Sequence, residues 1–175
     1  MSDNPVFLVK NKLYISAGVI PYTIDTCGNY YFLFQRLTNE HRSWTYQDLG
    51  GTSQENDLSI KDVALRAFYE QTNETFCTEY LSKQLEDDRS IIYRIPDNRY
   101  MLYLIYVPLD LKETLDLSVF TIKQKSVLEW ISYKSLMEVN DSEINHRITP
   151  SDFKNNLSLI LAHSKMNIPY QKYSI

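Results

Sequence analysis

Only four glycines occur in the 175 residues, and two of them are adjacent, Gly50-Gly51. Adjacent glycines let a backbone turn sharply or approach another group closely, so this pair constrains the fold more than any other local feature. The next stretch of chain narrows the choice further. A polar loop over residues 52–58 leads to Ser59, with Asp62 three positions on, the spacing of a capping box with Asp in the usual Glu position. Ile60, Val63, Ala64 and Phe68 then recur at helical spacing. This predicts a helix ending at Thr72 or Asn73, since Asn tolerates the left-handed cap conformation. A short strand over residues 44–49 is expected to lead into the glycines.

Upstream, residues 12–22 read as one strand, with Tyr14, Ser16, Gly18 and Ile20 on one face and Leu13, Ile15, Ala17 and Val19 on the other. A turn over residues 25–29, with Gly28 free to take positive φ, joins it to an aromatic, mostly buried strand over residues 30–36. Residues 37–43 are polar and read as a loop. Downstream, strands over 90–95 and 100–107 flank the turn Pro96-Asp97-Asn98-Arg99, and 125–131 predicts another strand followed by a helical turn over 133–139. Thr149-Pro150-Ser151-Asp152 opens a last helix whose apolar stripe is Phe153, Leu157, Ile160 and Leu161. Strands, a helix, more strands and a helix predict the α+β class with a mixed sheet rather than regular βαβ repetition. With no repeat, low-complexity tract or long linker, residues 1–175 are expected to form one domain with its core over about 12–163.

Lys and Arg total 18 against 22 Asp and Glu, so there is no basic surplus of the kind that electrostatic nucleic-acid binders carry. No apolar run approaches the roughly 18 residues of a membrane-crossing helix. Met1 to Pro5 lack the features of a signal peptide, and the expectation is an intracellular, cytoplasmic protein with no membrane partner. Cys27 and Cys77 are too few for a disulfide framework or a zinc cluster and read as reduced thiols. The composition leaves the oligomeric state open.

The unit of strand, double glycine, acidic loop and capped helix resembles the Nudix (MutT-type) hydrolase motif. That family's box runs from a glycine through a loop glutamate to a helix carrying Arg-Glu, an apolar residue, a late Glu-Glu pair and a glycine. Here Arg66 takes the box arginine, Phe68 the apolar position and Glu70 the first residue of the late pair. Residues 16–20 resemble the first Nudix strand, 32–36 the second, and 128–131 with Leu136 the late strand and short helix. The resemblance implies a Nudix-like α/β/α sandwich and Mg2+- or Mn2+-dependent cleavage of the pyrophosphate bond in a nucleoside-diphosphate-linked substrate. In that chemistry, divalent ions sit on helix glutamates and bridge substrate phosphates. Carboxylates three or four residues apart share a helix face, magnesium takes oxygen ligands, and paired metals stabilise the attacking and leaving oxygens.

The sequence departs from the pattern where that chemistry lies. The box glutamate after the arginine is Ala67, the second of the late pair is Gln71, and the box glycine is Asn73. The loop is one residue longer than the pattern, which puts Leu58 at the strict glutamate position and Asp57 beside it. Each charge lost at about 4 Å from a cation forfeits roughly 4 kcal/mol at an effective dielectric of about 20, and loss of a general base alone slows catalysis by about 10²–10⁴.

On this resemblance Glu70, Arg66 and Glu129 are the catalytic candidates, with Arg66 orienting the helix and its neighbouring carboxylate. Glu70, Glu129 and Asp57 are the metal candidates, and Gly50 and Gly51 shape a loop over the phosphates. Arg36 and Arg42, with His41, lie before Trp44 and Tyr46 and are candidates for contacting phosphate and stacking a base. Asp48, Glu55 and Glu74 are further acids in the region. The plainer alternatives are solvated acids, an exposed Arg66–Glu70 helix pair worth a few tenths of a kcal/mol, and structural roles for His146 and His163. Two functions are open. One is a divergent Nudix hydrolase. The other is a catalytically inactive Nudix-fold module that binds a nucleotide, an RNA end or a protein. A scaffold unrelated to nucleotides would be favoured if the Ala67–Gln71 face proved buried against the core.

Overall fold

A computed structural model describes residues 4–38, 44–72, 78–86, 90–95, 99–114, 126–144, 153–155, 157 and 161–162. The strands are β1 (Phe7–Val9), β2 (Lys12–Tyr14), β3 (Ser16–Ile24), β4 (Tyr30–Thr38), β5 (Trp44–Gln47), β6 (Leu49–Thr52), β7 (Ile91–Ile95), β8 (Tyr100–Tyr106) and β9 (Ser126–Ser132). The helices are α1 (Ile60–Gln71), α2 (Thr78–Glu86), α3 (Leu109–Thr114) and α4 (Tyr133–Glu138), and a 3-10 turn spans Asp141–Glu143. Residues 153–155, 157 and 161–162 are also helical. Asn73, Glu74, Cys77, His146, His163, Ile160, residues 96–98 and residues 149–152 lie outside the described residues.

β3 is the axis of a mixed seven-stranded sheet. It runs parallel to β8 from Ser16↔Tyr100 to Tyr22↔Tyr106, and β7 borders β8 in antiparallel pairing. On its other side β3 changes partner. Its first half pairs with β6, from Ser16↔Thr52 to Val19↔Leu49, and its last residues pair with β4, from Tyr22↔Phe32 to Ile24↔Tyr30. β4 continues past the split to pair with β5, while its other edge pairs with β9. Asp48, between β5 and β6, therefore sits where β3 and β4 part.

Alternation along the strands sends odd-numbered side chains of β3, β4 and β8 to one face and even-numbered ones to the other. Ala17, Val19, Leu33, Met101 and Tyr103 pack with Ile60, Val63, Ala64 and Phe68 of α1 and with Leu81 and Leu85 of α2. Ile20, Phe32, Phe34, Leu102 and Leu104 pack with Leu136 of α4 and with Phe153 and Leu157. Each face is covered by helix, which gives the three-layer α/β/α sandwich. Burying each such aliphatic or aromatic side chain contributes about 1.5–3 kcal/mol. Burial on both faces also explains why β3 lacks polar alternation.

The single strand expected over residues 12–22 is two strands. Ile15 and Ser16 both donate their N–H to the Arg99 carbonyl, at 3.0 and 3.3 Å. Two successive donors on one acceptor shift the alternation by one residue, as a bulge does. Tyr14 consequently joins Ala17 and Val19 on the α1 face instead of Gly18 and Ile20. β1 had no sequence signal, because its two-residue connection is Lys10-Asn11 rather than a glycine pair. Both residues take positive φ, 47° and 62°, as a two-residue hairpin loop of the I′ type requires. α2 is short, with Leu81 and Leu85 its buried positions, too few to register as a periodicity.

The glycine pair is also placed differently from its expectation. Gly50 and Gly51 lie inside β6, without positive φ, so no sharp turn or loop forms there. Their missing side chains serve packing on opposite faces. A Cβ on Gly50 would lie 2.7 Å from the Gly18 Cα and would run into the hydroxyl of Tyr100 and the carboxyl of Asp48. Gly18 meets the same two groups. Tyr100 and Asp48 are hydrogen-bonded to each other in the space the two glycines leave, and both are buried. On the other face a Cβ on Gly51 would lie 3.1 Å from the Ala67 Cβ. Gly18→Ala is expected to cost about 3 kcal/mol or more by overpacking. Tyr100→Phe, which removes the hydroxyl, should recover part of that loss when the two are combined; urea unfolding of the two single variants and the double variant measures the coupling.

Candidate functional site

Ser59 opens α1 by accepting the Asp62 N–H at 3.1 Å, a cap worth about 1 kcal/mol. The return bond differs from the expected box: Asp62 accepts the N–H of Leu58, at 3.2 Å, not that of the cap residue. This closes the loop after β6 and turns Asp57 inward. Leu58, at the strict box position, is exposed, while the Asp57 side chain is only 4% exposed. The extra loop residue thus moves the acid by one position without removing it.

Arg66 is the hub. Its Nε and Nη2 donate to the two Asp57 oxygens, both at 2.9 Å, a bidentate pair. Nη2 also donates to the Thr52 carbonyl at 2.8 Å, and Nη1 reaches Glu70 at 3.2 Å. The second Asp57 oxygen accepts the Gln54 N–H at 2.7 Å. Burial pushes the Asp57 carboxyl up, but the hydrogen bonds from Arg66 and Gln54, together with the Arg66 charge, outweigh it and hold the group below the usual aspartate value. Arg66 is pushed further up, mainly by its bonds to Asp57. Asp57 was expected as a metal candidate. Its oxygens are already engaged, and a cation would have to displace Arg66. Glu70 is 53% exposed on its side chain and shares the same guanidinium, a pair of modest strength at the surface.

The other two box positions are filled by packing. Ala67 is 1% exposed and lies against Gly51. Gln71 donates its Nε2 to the Gly50 carbonyl at 2.7 Å. The carbonyl can only accept, which fixes the orientation of the amide. Sequence reasoning missed this contact, because a glutamine in a helix carries no signal of a strand carbonyl opposite it.

Glu129 does not converge with Glu70. It sits on β9 opposite Phe34, and Ile131, two residues on, packs in the layer of Phe34 and α4. Glu129 therefore projects from the sheet face that α1 does not cover. There it pairs with Arg36 at 3.0 Å. Arg36 is the cross-strand partner of Tyr46, whose ring meets Phe34 edge-on at 6.3 Å. The structure thus brings Arg36, Tyr46 and Glu129 together on one face, and Arg66, Asp57 and Glu70 on the other side of the sheet. Arg42, His41 and the Trp44 side chain lie outside the described residues. Among the described residues, no three His, Cys, Asp or Glu side chains cluster so as to hold a metal ion. None of the described helices is long and apolar enough to cross a membrane.

The arrangement is similar to that of a C. elegans Ap4A hydrolase in a binary complex, with a TM-score of 0.51 over 85% of this chain and 97% of that one, at 16% identity. The chain has a Nudix-like α+β fold. A Nudix hydrolase from M. Smegmatis, RenU, aligns with a TM-score of 0.48 and 12% identity over 91% of this chain and 96% of that one. No family model and no curated protein matches the sequence.

The contacts of the Nudix-fold helix lead to two expected outcomes. Asp57, lowered in the folded state, contributes stability that is present above the ordinary aspartate value of about 3.9 and lost as pH falls through its lowered value. Asp57→Asn should therefore cost about 2–4 kcal/mol at neutral pH and flatten the acid limb below about pH 4, read by urea unfolding across pH. Ala67→Glu should lower stability by roughly 3 kcal/mol, because it overpacks Gly51 and buries a charge; a thermal melt unchanged from the parent would contradict the packing described.

Proposed function

We propose that this chain is a Nudix-fold nucleotide-binding module that does not hydrolyse pyrophosphate through a metal cluster on α1. One observation carries the reading: of the three helix positions where the family resemblance places glutamates, one holds a buried alanine, one holds an amide bonded to a strand carbonyl, and one holds a glutamate already paired with Arg66. These donors do not fit a magnesium site. Alanine has no ligand atom, Gln71 presents a donor, and Asp57 is tied to Arg66.

The ligand class rests on the fold likeness to an Ap4A hydrolase and on the corner of Arg36, Glu129 and Tyr46. A part-exposed guanidinium, a carboxylate and an aromatic ring within one cross-strand neighbourhood supply a phosphate donor, an acceptor for a base N–H, and a stacking surface. A second reading, a divergent Mg2+- or Mn2+-dependent hydrolase, is favoured by the same fold likeness. It requires Glu70 to exchange Arg66 for a metal.

A panel of ADP, ATP and Ap4A, each with and without Mg2+ or Mn2+, separates these readings. At about 100-fold excess over the dissociation constant, a bound nucleotide should raise the melting temperature by about 5–10 °C. No phosphate or mononucleotide should be released, and Arg36→Ala should remove most of the shift. Metal-dependent turnover that Glu70→Gln abolishes would establish the hydrolase instead. Absence of any nucleotide shift would favour an RNA end or protein partner, or the scaffold unrelated to nucleotides, whose condition of an Ala67–Gln71 face packed against β6 is met here.

A further inference from the structure

We propose that Gln71 takes the place of a cation: its amide, donating to the Gly50 carbonyl, closes the joint between α1 and β6 that a carboxylate at this position could close only with a metal ion or a proton between the two oxygens. The proposal concerns what holds helix to strand and stands whether or not a nucleotide binds.

Two helix side chains reach two β6 carbonyls. Arg66 donates to Thr52 at 2.8 Å, and Gln71 donates to Gly50 at 2.7 Å. Between them Ala67 lies against Gly51, so no side chain props the helix away from the strand. The joint is therefore a row of N–H donors facing a row of carbonyl acceptors. The Gln71 Oε1 is buried without a hydrogen-bond partner among the described residues. A neutral amide oxygen tolerates that burial far better than an ionised carboxylate would. A glutamate here would set one or two negatively charged oxygens against a carbonyl oxygen at the same short range. That arrangement is repulsive unless a divalent ion, for which oxygen donors suit, or a proton lies between. Gln71 makes the contact with its own donor, so the joint needs neither.

The test uses the 175-residue chain and metal alone, with no nucleotide present. Gln71→Glu should melt about 5–10 °C below the parent in EDTA at pH 7.5. Millimolar Mn2+ or Mg2+ should recover most of that loss, and so should lowering the pH, because a glutamate facing a carbonyl is stabilised in its protonated, donating form. The parent should be unmoved by the same ions. Gln71→Met, which loses the donor without adding charge, should melt below the parent and show no response to metal.

A Gln71→Glu protein as stable as the parent in EDTA would overturn the proposal. So would a Gln71→Met protein that melts like the parent, or calorimetric binding of Mn2+ to the parent at submillimolar concentration. If Gln71→Glu fails to fold in EDTA, recovery of a folded protein on refolding with Mn2+ supports the proposal. If it fails in both, the parent titration and Gln71→Met still decide.

Discussion

Two side chains are missing from one short strand, and the structure closes around their absence. Gly50 and Gly51 are neighbours in β6, so their absent Cβ atoms point to opposite faces of the sheet. On one face Gly50 and its partner Gly18 leave room for the buried Asp48–Tyr100 hydrogen bond at the point where β3 and β4 separate. On the other face Gly51 lets Ala67 bring α1 down onto the strand backbone. Close approach of the helix in turn lets Arg66 and Gln71 reach the β6 carbonyls. A side chain at Gly18 or Gly50 would collide with Asp48 and Tyr100, and one at Gly51 would press α1 away from the strand.

The electrostatics of the helix depend on that approach. Arg66 gathers Asp57, Glu70 and the Thr52 carbonyl around one guanidinium, whose planar fork suits a bidentate carboxylate. The pairing with Asp57 fixes the loop between β6 and α1, and the pairing with Glu70 engages the one box glutamate that is retained. The same positions in the Nudix box resemblance serve a metal cluster. Here they are linked to one another, with an amide where a second carboxylate would be. Retention of the fold alongside a different set of donors is physically coherent, because the sandwich is held by apolar packing on both faces of the sheet and not by the ion site.

Much of the fold was legible from periodicity. The hairpin of β3 and β4, the helix after Ser59, the strands over 91–95 and 100–106, and the late strand with its short helix all carry continuous apolar or amphipathic patterns. The misplacements have particular causes. A hydrogen bond shared by Ile15 and Ser16 splits the first strand and moves Tyr14 to the other face. The β1–β2 turn uses Lys10-Asn11 instead of a glycine pair. Of the site, the pairing of Arg66 with Glu70 was open to reading from helical spacing alone. The pairing of Arg66 with Asp57 was obscured by the one-residue loop insertion, which only the inward turn of the loop resolves. The separation of Glu129 from Glu70 depends on which face of β9 meets α1, and spacing says nothing about that.

Sequence alone determined the β3–β4 hairpin, the strands β7, β8 and β9, the start of α1 at its serine cap, and the absence of two box carboxylates, since these depend on local conformation and residue identity. Tertiary structure decided what the remaining groups do. The fully buried Asp48, the Gln71 amide on the Gly50 carbonyl and the Arg36–Glu129 pair on the opposite face are contacts between segments distant along the chain, and the inward Asp57 depends on how its loop folds back onto α1. Their partners are set by strand register and by how closely the layers pack, and those quantities exist only once the chain has folded.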